Sequence, residues 1–223
     1  MKTVVVGDLH GKYNIVEEIL TWDYNVVFVG DYLDSFTHKA VEQLHTLDLI
    51  LDSVIKSNGR VKALLGNHEI AYLNPRMACS GNSTAVQIGI LHRDMSPLLT
   101  HLWLHDDILI THAGVSQHLL TSSKLSLTEY LDAGDFNQIG YSRGGRNTIG
   151  GLYWCDWWEE FVPVAGTRQI VGHTAFRPVN ADKGIVTNDD NYNIDCLDKI
   201  PQVLVIDEEG EISYETLEDI DGY

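Results

Sequence analysis

Cysteine and long apolar runs are both scarce in this sequence, and each shortage excludes a class of protein. The cysteines number three and lack CxxC spacing, which argues against a disulfide framework and against a cysteine-based zinc site. The longest apolar runs, such as Val4–Val6 and Val26–Val29, fall far short of the roughly 20 residues that a membrane helix needs. The opening residues, MKTVVVGD, hold too few apolar side chains for the core of a signal peptide. We therefore expect a soluble, cytoplasmic protein that does not enter a membrane.

Basic residues are the third shortage. Lys and Arg total 15 against 32 Asp and Glu, so the net charge is −17 at pH 7. Broad binding to nucleic acid or to an anionic membrane needs a basic surface, and we expect neither. No coiled-coil pattern or strongly apolar stripe is evident, so the sequence leaves the oligomeric state open.

The first half of the chain predicts parallel βαβ units. Strand candidates at Thr3–Val6, Val26–Val29 and Arg60–Leu65 alternate with two segments of helical periodicity, the second over about residues 38–56. Strands separated in this way by helices pair in parallel. The length of 223 residues suits one α/β domain spanning 1–223.

The second half is less regular. Short strand candidates at Ile108–Thr111 and Gln169–Val171 precede a group near the end that we expect to be antiparallel. That group comprises Gly184–Thr187, Tyr192–Asp195, Gln202–Asp207 and Glu211–Glu215. The stretches at about 74–106 and 116–151 read as cap-like insertions over one end of the sheet.

Five strand candidates end in a short polar signature, and these signatures carry the chemistry. Open α/β sheets bind ligands beyond the carboxyl ends of their strands, so we expect the five to meet at one edge. In order they are Gly7-Asp8-Leu9-His10-Gly11, Gly30-Asp31-Tyr32-Leu33-Asp34, Gly66-Asn67-His68-Glu69, Thr111-His112-Ala113-Gly114 and Gly172-His173-Thr174.

The donor types in these signatures indicate metal ions. Carboxylate, imidazole and amide oxygen without thiolate suit Mn, Fe, Zn or Mg, with imidazole favouring the transition metals. Two carboxylates, one Asn and several His exceed the needs of one tetrahedral ion. Two ions that share a carboxylate fit better, and such pairs clamp both oxygens of an in-line displacement at phosphorus.

In sequence order these signatures, GDxHG, GDxxD, GNHE, HAG and GHT, resemble those of the calcineurin-like metallophosphoesterases. The resemblance is strongest to the phosphoprotein-phosphatase branch and its bacterial and phage relatives, including diadenosine tetraphosphatase-like enzymes. It spans nearly the whole chain, from Asp8 to about Cys196. It implies a four-layer sandwich in which helices flank two mixed β-sheets.

The resemblance also implies a role for each matching residue. One metal ion would be bound by Asp8 and His10, and Asp31 would bridge the two ions. The second ion would be held by Asn67, His112 and His173. Mn²⁺ is the expected metal because the family often takes it, with Fe, Zn and Mg as alternatives.

His68 is implied as the acid that protonates the leaving oxygen, with Asp34 orienting it. Histidine titrates in the range that this role requires, and a neighbouring carboxylate raises the pKa of an imidazole. The expected nucleophile is a metal-bound hydroxide.

The sequence differs from these relatives at the arginines that bind the phosphate. Phosphoprotein phosphatases usually carry two arginines where this chain has Ser35 and Leu65. The replacement candidates are Arg143 and Arg146, in a segment similar to one in Shewanella-like phosphatases, since guanidinium is the natural partner of a phosphate. Weaker candidates are Arg168 and Arg177.

We expect hydrolysis of a phosphomonoester carried by a phosphoprotein or a small molecule. A dinucleotide polyphosphate or phosphodiester hydrolase is the first alternative, and a non-catalytic metal-binding interaction module is the second. We expect Trp154, Trp157 and Trp158 to pack as core beneath the site, with a stacking platform for a base as the other interpretation.

Overall fold

A computed structural model describes residues 1–74, 77, 79–95, 98–175 and 184–217. The described residues form ten strands and six α-helices. The strands are β1 Thr3–Val6, β2 Asn25–Phe28, β3 Val61–Ala63, β4 Leu102–His105, β5 Ile108–Thr111, β6 Arg168–Val171, β7 Val186–Asn188, β8 Asn191–Asn193, β9 Gln202–Ile206 and β10 Ile212–Thr216. The helices are α1 Tyr13–Thr21, α2 Ala40–Lys56, α3 Asn67–Leu73, α4 Thr84–Ile90, α5 Gln117–Ser123 and α6 Leu127–Ala133.

The first sheet has the order β10-β9-β1-β2-β3. The pairs β1–β2 and β2–β3 are parallel, as the alternation of strands and helices predicts. Strand β9 runs antiparallel to β1, and β10 closes the sheet as an antiparallel edge. Strands β9 and β10 therefore form an edge hairpin whose turn carries Asp207, Glu208, Glu209 and Glu211, and at an edge these carboxylates stay in water.

The second sheet has the order β4-β5-β6-β8-β7. Two features differ from the sequence prediction. Strand β8 pairs in parallel with β6 instead of antiparallel. Strand β7 comes between them in the sequence and runs antiparallel to β8, so the chain reverses direction before β8 begins. Strand β4 lies inside the stretch predicted as the first insertion, and it forms an antiparallel edge on β5.

The two sheets pack face to face, and helices cover the outside. Alternate residues of β1 point to opposite faces, as a strand requires. Val5 joins a core between the sheets that includes Ile110 and Ile170 of the second sheet. Val4 lies in the outer core, which includes Ile15 and Leu47 of α1 and α2. The result is the predicted four-layer α/β sandwich.

This packing brings the carboxyl ends of six parallel strands to one place, three from each sheet.

Among the described residues, no helix is both long enough and apolar enough to cross a membrane.

Candidate metal centre and active site

One wall of the site is built from residues that directly follow the parallel strands, and we call it the strand-end wall. Its members are Asp8, Asp31, Asn67, His112, His173 and Asp195. All the predicted metal ligands except His10 belong to it. Close approach to the backbone explains two neighbouring glycines: a Cβ on Gly66 would lie 2.1 Å from Asp31 Oδ1, and a Cβ on Gly172 would lie 2.1 Å from Asp8 Oδ1.

Four of the predicted site residues adopt the left-handed backbone conformation. The φ angles are 44° at His10, 53° at Asp31, 63° at Asp34 and 68° at His173. This conformation costs a non-glycine residue about 1–2 kcal/mol. Such strain concentrates at functional sites, where the surrounding fold holds the side chain in its working direction.

Asp31 lies at the centre of the site. Its Oδ2 is 4.0 Å from His10 Nε2, 3.8 Å from His68 Nε2 and 3.4 Å from His112 Nε2. Two groups of metal-donor atoms share this carboxylate. One is His10, Asp31 and His68, and the other is Asp31, His112 and His173. A protonated His68 binds no metal, so His10 and Asp31 are the available donors of the first group. A shared carboxylate between two donor groups is what a pair of ions requires.

The three imidazoles around Asp31 present Nε2 to the centre because each Nδ1 is occupied. His10 Nδ1 lies 2.7 Å from the Leu33 carbonyl, and His112 Nδ1 lies 3.0 Å from the Val29 carbonyl. A carbonyl only accepts, so we assign the proton to Nδ1 and a lone pair to Nε2 in both rings. Burial lowers the pKa of His10, and a neutral ring is the form that binds a metal.

The second donor group fits a cation closely. Asn67 Oδ1 lies 2.9 Å from His112 Nε2 and 2.7 Å from His173 Nδ1, and the two nitrogens are 3.2 Å apart. Because His112 Nε2 carries a lone pair, its approach to the amide oxygen is repulsive unless a positive charge lies between them. Burial lowers the pKa of His173 well below its usual range, and the nearby Arg143 guanidinium lowers it further. These residues therefore fit a divalent ion.

Asp8 stands outside both donor groups. Its carboxylate oxygens accept the backbone N–H of His173 at 3.0 and 3.1 Å. Burial raises the pKa of Asp8 well above its usual range, and the neighbouring Asp195 and Asp31 carboxylates raise it further. The direct role of Asp8 toward a metal stays a prediction.

Asp195 is a buried carboxylate that the sequence reasoning missed. Burial, with Asp198 and Asp31 nearby, raises its pKa to about 7. It follows β8, the sixth parallel strand to end at the site. Every other strand-end signature contains a glycine within two residues of its polar residue, but Asp195 is flanked by Ile194 and Cys196 and has no glycine near it. The available signal was a carboxylate at the end of a strand candidate.

Glu69 holds the backbone of the site together. Its carboxylate accepts the backbone N–H groups of Asp31 at 2.8 Å, Tyr32 at 2.9 Å and Gly66 at 3.0 Å. It thereby ties the turn after β2 to the start of α3. Burial and the Asp31 carboxylate raise its pKa to about 7.

His68 and Asp34, which the sequence predicts as the acid and its orienting carboxylate, lie within hydrogen-bond distance of each other. His68 Nδ1 lies 2.8 Å from Asp34 Oδ2. Burial opposes a charge on His68, but Asp31 and Asp34 outweigh that effect and raise its pKa to about 9. The protonated ring then directs Nε2–H toward the centre of the site, as a general acid requires.

Tyr72 extends this pair, which the sequence did not indicate. Its hydroxyl donates to Asp34 Oδ1, and it receives the backbone N–H of Ser83 just before α4. Burial and Asp34 raise the pKa of Tyr72 well above its usual range, so the phenol stays a donor. Tyr72 lies one helical turn after His68 on α3, and i,i+4 spacing was the only sequence signal.

The facing wall comes from irregular chain, and we call it the loop wall: Arg143, Trp154 and Asp156. Arg143 Nη2 lies 2.9 Å from Thr174 Oγ1 and 3.0 Å from Asp156 Oδ2. Arg143 and Trp154 line a cavity of about 380 Å³ together with His10, Asp31, Asn67, His68 and His173. The structure thus places the first arginine candidate beside the metal donors.

The other arginine candidates lie elsewhere. Arg146 is exposed and is absent from the lining of this cavity. Arg168 begins β6, whereas His173 follows the other end of that strand, and it pairs with Asp107 at 2.7 Å. Arg177 lies outside the described residues. At the two departures from the phosphatase pattern, Leu65 is buried and the Ser35 hydroxyl accepts the backbone N–H of His38 at 3.0 Å.

Comparison with known proteins agrees with this geometry. The family model of the calcineurin-like phosphoesterases matches residues 1–180. A protein of Encephalitozoon cuniculi named as a probable serine/threonine-protein phosphatase is 32% identical over 77 residues. That match covers 33% of this chain and spans 16% of the relative's length.

Two solved structures share the fold at low identity. A cold-active protein-tyrosine phosphatase of a psychrophilic Shewanella species has a TM-score of 0.62 at 16% identity, over 97% of this chain and 80% of its own. A protein serine/threonine phosphatase of Saccharomyces cerevisiae, with similarity to human phosphatase PP5, has a TM-score of 0.65 at 14% identity. That likeness covers 100% of this chain and 81% of the yeast chain. With the family model matching most of its length, this chain belongs to the calcineurin-like phosphoesterases.

Proposed function

We propose that this chain hydrolyses phosphomonoesters with two divalent metal ions, Mn²⁺ being the first choice. The observation that carries the proposal is the shared position of Asp31, whose Oδ2 lies within 4.0 Å of three imidazole nitrogens. His10 and Asp31, with Asp8 nearby, would hold one ion. Asp31 would share the second ion with Asn67, His112 and His173. When bound, such ions acidify a water molecule and neutralise the phosphoryl oxygens.

The chain's own side chains supply the rest of the reaction. His68 donates the proton on Nε2 to the leaving oxygen, while Asp34 keeps the opposite nitrogen engaged. Arg143 reaches the cavity of the donor groups with a guanidinium that can bind a phosphoryl oxygen. Asp156 and Thr174 fix that guanidinium before substrate arrives, so little ordering is needed on binding.

A second cavity, of about 570 Å³, adjoins His10 and His68 and has room for the leaving group. Lys12 and Lys199 are part of its lining, and Phe36 stands on it with 82% of its surface exposed. A wall of this kind suits an organic leaving group larger than water, on a protein or on a small molecule. The related structures named above are a tyrosine phosphatase and a serine/threonine phosphatase, so both kinds of phosphopeptide deserve trial.

The first experiment strips the chain of metal with EDTA, restores Mn²⁺, and compares initial rates on p-nitrophenyl phosphate and bis-p-nitrophenyl phosphate. We expect metal-dependent turnover that is faster on the monoester. Asp31→Asn, prepared in parallel, controls for contaminating phosphatase. Faster diester turnover would overturn the substrate class. Metal binding without hydrolysis of either ester would instead support a metal-binding interaction module.

Hydrolysis of a dinucleotide polyphosphate is the second candidate. It is favoured by the two positions that lack arginine, because Leu65 is buried and the Ser35 hydroxyl is engaged within its own loop. A substrate without a terminal phosphate dianion has less need of two guanidinium groups. Faster hydrolysis of diadenosine tetraphosphate than of p-nitrophenyl phosphate at equal concentration would select this function.

A further inference from the structure

We propose that the indole N–H of Trp154 donates a hydrogen bond to the phosphoryl group of the substrate, beside Arg143. Trp154 is 8% exposed and lines the cavity that holds the metal donors. Its side chain therefore belongs to the active site as well as to the core. This inference rests on the proposed function, because it assigns a binding partner for the phosphoryl group of the same substrate.

Three residues with an unpaired buried polar atom lie around this cavity. Across the residues that the structure describes, four buried side-chain nitrogen or oxygen atoms have no hydrogen-bond partner. Three of them lie on residues of the cavity: Arg143 Nε, Trp154 Nε1 and His173 Nε2. Leaving a buried polar group unpaired is unfavourable, and each such group in a folded protein calls for an explanation.

The chemistry of the unpaired atoms points to an anion. Arg143 Nε and Trp154 Nε1 are N–H groups with no ability to accept, so only an acceptor can satisfy them. The two residues share a cavity with both metal-donor groups, which is where phosphoryl oxygens would lie. A phosphate presents several acceptor oxygens in different directions, and it can therefore engage a metal, a guanidinium and an indole together.

The indole is held firmly enough to serve this purpose. The backbone N–H groups of Trp154 and Cys155 both donate to the Gly151 carbonyl, at 2.8 and 3.0 Å. The Trp154 ring meets the His173 ring edge to face, with centroids 6.0 Å apart. A donor fixed by its own turn and by a predicted metal ligand loses little freedom when substrate binds.

The combination of Arg143 and Trp154 also affects how much negative charge the substrate needs for binding. Arg143 already faces Asp156, and an indole is neutral, so the loop wall carries less positive charge than two free arginines would. Recognition by Trp154 therefore depends on a phosphoryl oxygen and less on the full charge of a terminal dianion. Removing the indole N–H should weaken monoesters and diesters by similar factors.

The test replaces Trp154 by Phe, which keeps an aromatic ring and removes the donor. We expect Trp154→Phe to raise the inhibition constant of inorganic phosphate, and the KM of both nitrophenyl esters, by about fivefold to tenfold, the equivalent of one hydrogen bond. The matched control is Trp157→Phe, because Trp157 is equally buried in the same segment and stacks on Phe161 at 4.5 Å outside this cavity. An unchanged phosphate inhibition constant in Trp154→Phe would overturn the proposal.

A direct measurement uses the wild-type chain, so it remains possible if Trp154→Phe fails to fold. In ¹⁵N-labelled protein loaded with diamagnetic Zn²⁺, the five tryptophans give separate indole signals that triple-resonance experiments assign. Titration with inorganic phosphate should shift the Trp154 indole signal more than those of Trp22 and Trp103. Competitive inhibition by phosphate without that shift would defeat the indole proposal and leave the phosphoesterase intact. Neither hydrolysis nor phosphate binding by the metal-loaded chain would defeat both.

Discussion

The strand-end wall and the loop wall face the same cavity, but they are built on different principles. Each residue of the strand-end wall follows a parallel strand, and backbone groups position three of its side chains. The Asp8 and Asp31 carboxylates accept backbone N–H groups, and the His112 ring contacts a backbone carbonyl. The loop wall follows no strand, and its guanidinium is held by two side chains, those of Asp156 and Thr174. Most of the proposed metal ligands therefore depend on the sheets for their position, whereas the proposed phosphate-binding Arg143 lies on a segment outside the sheets.

This difference predicts two kinds of variant. Changes in the strand-end wall should remove metal and slow every substrate. Changes in the loop wall should keep the metal and alter substrate affinity. A variant of one wall that has the effect expected of the other wall would contradict this division.

Asp31→Asn should have the largest effect. The amide cannot bridge two cations or balance their charge, so we expect kcat to fall by about a thousandfold on every substrate, the upper range for removing a group that stabilises charge in the transition state. Metal content measured by inductively coupled plasma spectrometry should fall with it. Asp107→Asn, at an exposed carboxylate paired with Arg168, is the control. Wild-type turnover in Asp31→Asn would end the bridging role.

His68→Asn should come next. We expect kcat to fall by about a hundredfold to a thousandfold while bound metal is retained, since the variant loses an acid and not the shared carboxylate. A series of aryl phosphates tests the reason: poor leaving groups should slow most, because they depend most on protonation. An equal loss across the series would speak against His68 as the acid.

Arg143→Ala should show the contrasting pattern of the loop wall. We expect the KM for p-nitrophenyl phosphate to rise by about tenfold to a hundredfold, the range for a charged hydrogen bond, with a smaller rise for the diester. Metal content should not change. Arg146→Ala is the matched control, because Arg146 is exposed and outside the cavity lining. Loss of metal in Arg143→Ala would contradict the division between the two walls.

The same division explains what the sequence could and could not predict. The strand-end wall follows from local signals, a short apolar run and then glycine with a polar residue, so Asp8, Asp31, Asn67, His112 and His173 were found. Asp195 was missed because no glycine accompanies it. The strand β4 was missed because its residues are mostly half-buried at a sheet edge, and their pattern does not alternate clearly.

The loop wall and the Tyr72 contact depend on distant parts of the chain. The Arg143 guanidinium meets Thr174 across 31 positions, and the Tyr72 hydroxyl meets Asp34 across 38. No periodicity reports such contacts, because they exist only after the sheets have packed. Arg143 was found through resemblance to a known segment, and the unpaired indole of Trp154 became visible only in the folded structure.

Tyr72→Phe should have a modest effect on kcat, and it tests whether Tyr72 supports His68 through Asp34. The variant keeps the ring on α3 and removes the hydroxyl that donates to Asp34. We expect kcat to fall by about threefold to tenfold, the equivalent of one hydrogen bond, and the loss to grow with poorer leaving groups. Tyr141→Phe, at an exposed tyrosine, is the control. A loss that is uniform across leaving groups would indicate a purely structural contact.

Asp195→Asn should have a small effect on stability that changes with pH. This prediction tests whether the Asp195 carboxylate contributes to the negative charge of the strand-end wall. Its pKa is raised to about 7 in the fold from the ordinary 3.8. A group with a raised pKa contributes stability that is fully present below its unfolded pKa and is lost as pH rises through the folded value. The metal-free wild-type chain should therefore lose stability from about pH 4 to 7 through this group, whereas an asparagine cannot ionise.

The Tm of metal-free Asp195→Asn, relative to wild type, should then rise by about 3 °C or more between pH 5 and pH 8. Adding Mn²⁺ should shrink that gain, because bound cations compensate the ionised Asp195. Differential scanning calorimetry with EDTA and with Mn²⁺ measures both effects. A pH-independent difference in Tm would mean that Asp195 acts through shape and hydrogen bonding alone. The charge matched to the metals would then come from Asp8 and Asp31, and five strand ends would carry the chemistry instead of six.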